Sequence, residues 1–119
     1  MNHIYIYSGC STCRKAKKWL ISHQIDFIEH PIVEETPDFE LLSRLIKLSR
    51  LPIQRFFNTS GENYRNTNLK EKLLLISDDE KILLLANDGM LIKRPILYNE
   101  KQVLIGFCEE DYETAFIAR

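Results

Sequence analysis

Apolar residues recur along this chain in two rhythms, and the switches between them mark out the elements. His3-Ile4-Tyr5-Ile6-Tyr7 is an uncharged run of β-branched and aromatic residues, which predicts a strand. From Thr12 to His23 the rhythm changes. Cys13, Ala16, Trp19 and Leu20 recur at helical spacing while Lys15, Lys17 and Lys18 fall elsewhere, which predicts an amphipathic helix. Asp26 to His30 predicts a second strand, closed by Pro31.

The middle of the chain keeps the helical rhythm. Thr36-Pro37 has the form of a helix start, with Thr36 as N-cap and Pro37 at the first helical position. Phe39, Leu41, Leu42, Leu45, Ile46 and Leu48 give that helix a broad apolar face. A short helix carrying Phe56 and Phe57 is predicted after Pro52, a turn at Asn58-Thr59-Ser60-Gly61, and a helix over 69–75. Tyr64 and Arg65 read as a packing and a surface residue. Ser77 followed by Glu80 has capping-box spacing and opens a helix that ends at Asn87-Asp88-Gly89.

The last third returns to strands. Residues 91–97 predict a strand interrupted by Pro95, 99–101 a turn, and 103–105 another strand. A final helix over 109–117 has Glu109, Glu110 and Asp111 at its positive end, as the helix dipole favours. The order is β-α-β, a helical block from about 36 to 88, then β-β-α. Such an order implies an α/β fold with a mixed sheet and helices packed on it.

Composition narrows the function classes. The 119 residues suit a single domain. With 45% apolar and 28% charged residues and a formal net charge of −1, charge balance gives no case for nucleic-acid or membrane binding. No apolar stretch approaches the roughly 20 residues of a membrane span. The start lacks the basic and apolar regions of a signal peptide, so the cytoplasm is the expected compartment. Thiols are kept reduced there, and cysteine pairs tend to be catalytic, redox-sensing or metal-binding.

The candidate chemistry lies in Ser8-Gly9-Cys10-Ser11-Thr12-Cys13-Arg14. A C-x-x-C can be a redox pair, half of a metal site, or two buried thiols. Its place between a strand and a helix is the thioredoxin-like pattern. Unsatisfied backbone N–H groups and the dipole at a helix start favour thiolate over thiol, and Arg14 and Lys15 add positive charge. Cys10, at the strand end, is expected to be the more exposed sulfur. Cys13, about one turn on, is placed to attack a mixed disulfide formed at Cys10. Zinc needs about four ligands, usually with a second close pair. Only Cys108, His3, His23 and His30 remain, and they are scattered. Cys108 reads as a small, semi-buried residue.

Arg94-Pro95 is a second constellation. A proline inside a strand pattern belongs at an edge, a bulge or a special peptide bond. Arg94 reads either as a solvated cation or as a planar fork holding an anion or a thiolate.

Three separated motifs carry a resemblance over essentially the full length. They are Y-S-G-C-S-T-C-R-K-A-K-K-W-L, then F-F-N-T-S-G-E-N-Y-R-N-T-N-L-K-E-K-L, then D-G-M-L-I-K-R-P-I-L followed by V-L-I-G-F. The chain resembles the ArsC/Spx family of arsenate-reductase-like proteins. It is most similar to the bacterial ArsC-like branch that combines C-x-x-C with F-N-T-S-G. The resemblance implies a thioredoxin-like fold in one domain, residues 1–119, with a helical subdomain inserted over about 36–88.

It also implies roles. Cys10 matches the catalytic cysteine, Cys13 would resolve, and Arg94 precedes a proline expected in cis. Ser11, Thr12, Arg14, Asn58, Thr59, Ser60 and Pro95 would bind at or shape the pocket. Family arsenate reductases hold the oxyanion with three arginines. The first aligns with Asn58, the second with Arg94, and the third falls near Gly106. Charge-assisted hydrogen bonds are worth about 1.5–3 kcal/mol each. Without two of them, weak or absent arsenate turnover is expected.

The implied activity is thiol–disulfide oxidoreduction with a thioredoxin- or glutaredoxin-type thiol donor, by a monomer needing no metal or organic cofactor. The Spx branch implies an alternative: a redox-sensing transcriptional regulator binding the C-terminal domain of the RNA polymerase α subunit, without direct nucleic-acid contact. Spx proteins carry a glycine before the middle motif that supports that contact. Pro52 stands near that place here.

Overall fold

The computed structural model describes residues 1–61, 64 and 68–117. In chain order the elements are β1 (His3–Ile6), α1 (Ser11–Ser22), β2 (Ile28–Pro31), α2 (Phe39–Ser49), a 3-10 turn (Ile53–Phe56) and α3 (Leu69–Lys72). Then follow α4 (Asp78–Ala86), a 3-10 turn (Gly89–Leu91), β3 (Ile96–Tyr98), β4 (Val103–Ile105) and α5 (Glu109–Phe116). They form two compact units, Met1–Pro31 with Arg94–Arg119, and Ile32–Lys93.

The first unit holds the whole sheet, in the order β2-β1-β3-β4. β1 runs parallel to β2, and β3 is antiparallel to both β1 and β4, giving the mixed sheet of a thioredoxin-like fold. Register follows from the period-two pattern of the strands. Ile4 stands opposite Leu97, and Leu97 opposite Leu104. These residues and Ile6 meet Cys13, Ala16, Trp19 and Leu20 of α1 and Tyr112 of α5 in one cluster. The buried stripe of α1 is therefore the one its spacing predicts. Ile4 and Leu20 are fully buried, and each such side chain stabilises the fold by about 1.5–3 kcal/mol.

The alternate positions of β1 carry rings. His3 stacks on His30 and on Tyr98, and Tyr5 stacks on His30. His3 Nδ1 lies 2.9 Å from His30 Nε2. Burial first, then the neighbouring His30, pushes the His3 pKa down.

The second unit is helical, and it corrects three expectations. Asp38, not Thr36, caps α2, its Oδ1 accepting from Leu41 N at 2.9 Å. Thr36 Oγ1 instead donates to the Ile32 carbonyl at 2.7 Å, and Pro37 is buried outside the helix. At the far end, α4 ends at Ala86 with Asn87 as its C-cap, within the predicted Asn87-Asp88-Gly89 stop. Gly89 is buried at the start of a 3-10 turn, where a Cβ would strike the Ile32 carbonyl oxygen. The strand predicted over 91–97 also shortens. Ile92 makes an isolated bridge to Phe57, and regular pairing starts only at Ile96, because Pro95 has no N–H to give the ladder. Ser77 caps α4 as expected, accepting from Glu80 N at 3.2 Å. The helix expected over 69–75 keeps only Leu69–Lys72.

Candidate functional site

The turn between β1 and α1 sets the cysteine geometry. Cys10 N donates to the Tyr7 carbonyl at 3.0 Å, which folds the chain back and makes Cys10 the N-cap of α1. Gly9 fits inside this turn because a Cβ there would come within 2.8 Å of the Tyr7 ring. With Cys10 in extended backbone, its Sγ accepts the Cys13 N–H at 3.2 Å. A backbone donor otherwise left orphaned at the helix start thus points at the sulfur. Arg14 Nη1 donates back to the Ser8 carbonyl at 3.0 Å and braces the loop. Ser11 is exposed and Thr12 half-buried in the first turn.

The two sulfurs occupy different surroundings. Cys10 is partly exposed, whereas Cys13 is 1% exposed among the core side chains. Burial pushes the Cys13 thiol up to about 12, and its hydrogen bond with Cys10 adds to that. The Arg94 charge acts in the opposite direction without cancelling it. Cys13 is therefore a thiol at neutral pH.

Arg94 comes to this loop from just before β3. Its guanidinium carbon lies 5.0 Å from the centroid of the Tyr7 ring, a cation–π arrangement. The Arg94–Pro95 peptide is cis, and Pro95 is fully buried. The Pro95 carbonyl accepts the Gly106 N–H at 2.8 Å. Gly106 has φ 73°, a left-handed conformation that side chains rarely adopt, and its carbonyl accepts Tyr112 Oη–H at 3.3 Å. Burial and the adjacent Cys13 push the Tyr112 hydroxyl pKa up.

Cys10, Ser11, Thr12, Cys13, Arg14, Arg94 and Pro95 thus share the first unit. Asn58, Thr59 and Ser60 belong to the second, in the turn predicted for them. There Ser60 Oγ donates to Asn58 Oδ1 at 3.1 Å, and Gly61 N donates to the Asn58 carbonyl at 3.2 Å. Within the middle motif, residues 62, 63 and 65–67, Arg65 among them, lie outside the described residues.

Cys108 departs from expectation, being exposed rather than semi-buried. It precedes α5 and makes no side-chain cap. Among the described residues no group of three or more His, Cys, Asp or Glu could hold a metal ion, and no helix is long and apolar enough to cross a membrane.

Sequence reasoning missed Tyr7, Gly106 and Tyr112. Tyr7 and Gly106 carried a signal, since each sits inside a motif that also holds the cysteines or follows the Arg-Pro pair. Tyr112 carried only its place in a predicted helix.

Known proteins resemble the chain along nearly all its length. A family model described as the ArsC family matches residues 5–115. YusI of Bacillus subtilis, described as an uncharacterized protein, is 50% identical over 109 residues, 92% of each chain. The global transcriptional regulator Spx 2 of Bacillus cereus is 32% identical over 108 residues, covering 91% of this chain and 81% of that one. The crystal structure of an ArsC family related protein from Bacteroides fragilis superposes with a TM-score of 0.92 at 44% identity, covering 95% of each chain.

Proposed function

The chain belongs to the ArsC family, and from that premise we propose that it is a thiol–disulfide oxidoreductase using Cys10 and Cys13. One observation carries the reading: a partly exposed sulfur at a helix start accepts a backbone N–H while a second, buried thiol waits behind it. The Cys10 thiolate attacks one sulfur of a substrate disulfide. A Cys10–substrate S–S bond forms, and the other substrate sulfur leaves as a thiolate. Cys13 then gives up its proton to that thiolate or to water and attacks Cys10 Sγ. The second substrate sulfur departs as a thiolate with the electron pair of the broken bond, and a Cys10–Cys13 disulfide remains. Two electrons have passed to the substrate, and a thioredoxin- or glutaredoxin-type dithiol returns them. The reducing cytoplasm suits this cycle.

In this proposal Arg94 steadies the anionic sulfur or a bound anion, while Pro95 and the first turn of α1 shape the surface the substrate meets. Arsenate is a poor candidate substrate. Asn58 and Gly106 stand at or near two positions where family arsenate reductases carry arginine, and Gly106 is tied to Pro95 and Tyr112 through a left-handed backbone. Arsenate turnover dependent on Cys10 and a thiol donor would reverse this part of the proposal.

The test is a mixed-disulfide trap. A Cys13→Ser chain should hold its physiological partner on Cys10, for mass spectrometry to name. If nothing is held, and Cys10→Ser leaves every thiol-exchange assay unchanged, the proposal fails.

Similarity to Spx 2 supports a second reading, a redox-sensing regulator acting through the RNA polymerase α subunit. Pro52, near the place where Spx proteins carry glycine, weighs against it. A pull-down with the α C-terminal domain that recovers no complex would remove it.

A further inference from the structure

Helix α1 has a second face, turned away from the core. Opposite the stripe of Cys13, Ala16 and Leu20 lie Arg14, Lys17, Lys18, Ile21 and Ser22, which line a shallow open hollow. The helix carries four cations and no carboxylate, in a chain whose net charge is −1. All four sit in its first eight residues and none in its last turn, the place where the helix dipole would favour them. The helix dipole therefore does not account for them. Among the described residues, one α1 cation has an ion pair, Lys17 Nζ with Glu29 Oε1 at 2.7 Å. Arg14, Lys15 and Lys18 are exposed, and Ile21 is 64% exposed at the far end of this face.

The face begins at the sulfur. At 1.5 Å rise per residue, Arg14 is roughly 6 Å, Lys18 roughly 12 Å and Ile21 roughly 16 Å along the axis from Cys10. That footprint suits a peptide or a protein rim whose cysteine reaches Cys10.

We propose that the outer face of α1 docks an acidic, cysteine-bearing polypeptide, so that partners of Cys10 are selected by negative charge beside their sulfur. Like charges cluster on this face and an apolar tip lies one turn beyond them, which together favour a protein surface with carboxylates beside a small apolar contact. A nucleic acid would meet the charge but offers no sulfur to Cys10. The proposal rests on the thiol-exchange reading of the cysteine pair.

Three peptides test it, identical except for acidic, neutral or basic flanks around one cysteine held as a mixed disulfide with thionitrobenzoate. The Cys10 thiolate attacks the peptide sulfur, and the aromatic thiolate leaves with the electron pair as coloured product. Cys13 then displaces the peptide thiol. Stopped-flow release of the chromophore from the full chain should be about tenfold faster for the acidic than for the neutral peptide at low salt, and slowest for the basic one. The preference should shrink toward unity as salt shortens the Debye length to about 3 Å near 1 M. A Lys18→Glu variant should weaken the preference by about threefold or more while the neutral peptide reacts within about twofold of the parent rate, since Lys18, two turns along the helix from Cys10, takes no part in the exchange. Equal rates for the three peptides, or a uniform loss of all three in a variant that keeps its thermal melt, overturns the docking face alone. A neutral-peptide rate no greater than that of Cys10→Ser overturns the exchange reading instead. Fluorescence anisotropy with a mixed-sequence duplex and a single strand should show no binding. Salt-sensitive binding lost in the same variant would reassign the face to nucleic acid and overturn the proposal.

Discussion

α1 and α5 both begin directly after a cysteine in extended backbone, Cys10 at φ −96°, ψ 113° and Cys108 at φ −131°, ψ 115°. Their side chains differ in every other respect. Cys10 Sγ accepts an N–H from its helix, Cys108 makes no such bond, and only Cys10 has a second thiol one turn away. The charge around them is opposite in sign. α1 has no acid in its first turn and cations directly after it, whereas α5 opens on Glu109, Glu110 and Asp111. A helix start alone therefore does not mark a reactive cysteine. A donor aimed at the sulfur, a waiting thiol and positive charge separate the two.

The sharpest break between the two cysteines is deletion. Cys10→Ser should lower disulfide exchange by about 100-fold or more, because the thiolate is the nucleophile. Cys108→Ser should leave the rate within about twofold, since nothing in that surface assists exchange. Chromophore release from a mixed-disulfide peptide measures both.

Next in size is the pH dependence of the second step. With Cys13 held at about 12, its thiolate fraction rises about tenfold per pH unit across the neutral range, and partner release should rise with it. The same shift bears on stability. The folded state raises Cys13 from 9.0 to about 12, so it favours the thiol. That contribution is complete below about pH 9 and is lost as pH climbs to about 12. Denaturant melts of the reduced protein should weaken over that window, and those of Cys13→Ser should weaken less.

How far this contrast was readable in the sequence depends on how local each feature is. The strand-to-helix junction at Cys10, the buried stripe of α1 and the Ser77 cap depend on a few consecutive residues, and each formed where the pattern placed it. The features that escaped were decided by distant partners. Thr36 lost its cap to Asp38 because the Ile32 carbonyl took its hydroxyl. Gly89 follows the predicted helix stop but also approaches that same Ile32 carbonyl, a contact no local pattern announces. Cys108 is next to core-packed Phe107, yet its own side chain faces solvent. Tyr112 reaches Cys13 and Gly106 only once α5 is laid on the sheet.

Arg94→Gln should have a smaller effect. It removes the cation over Tyr7 and an attractive charge that draws Cys13 down. Exchange should slow by roughly threefold to tenfold, the scale of a contact worth about 0.5–1 kcal/mol when exposed and more when desolvated. An Arg94→Lys variant that restores only the charge should recover part of it. The smallest effect is expected at the other helix. Glu109→Gln with Glu110→Gln should speed iodoacetamide labelling of Cys108 by about twofold to threefold, in line with the modest worth of a charge at a helix start.

Mild oxidation followed by peptide mapping tests the central claim most directly. One equivalent of diamide takes up the two electrons and two protons of a dithiol. The full chain should yield a Cys10–Cys13 disulfide that dithiothreitol reopens, with Cys108 still free to alkylate. A chain in which Cys10 and Cys13 both still alkylate after oxidation, or in which Cys108 forms the cross-link instead, would contradict it.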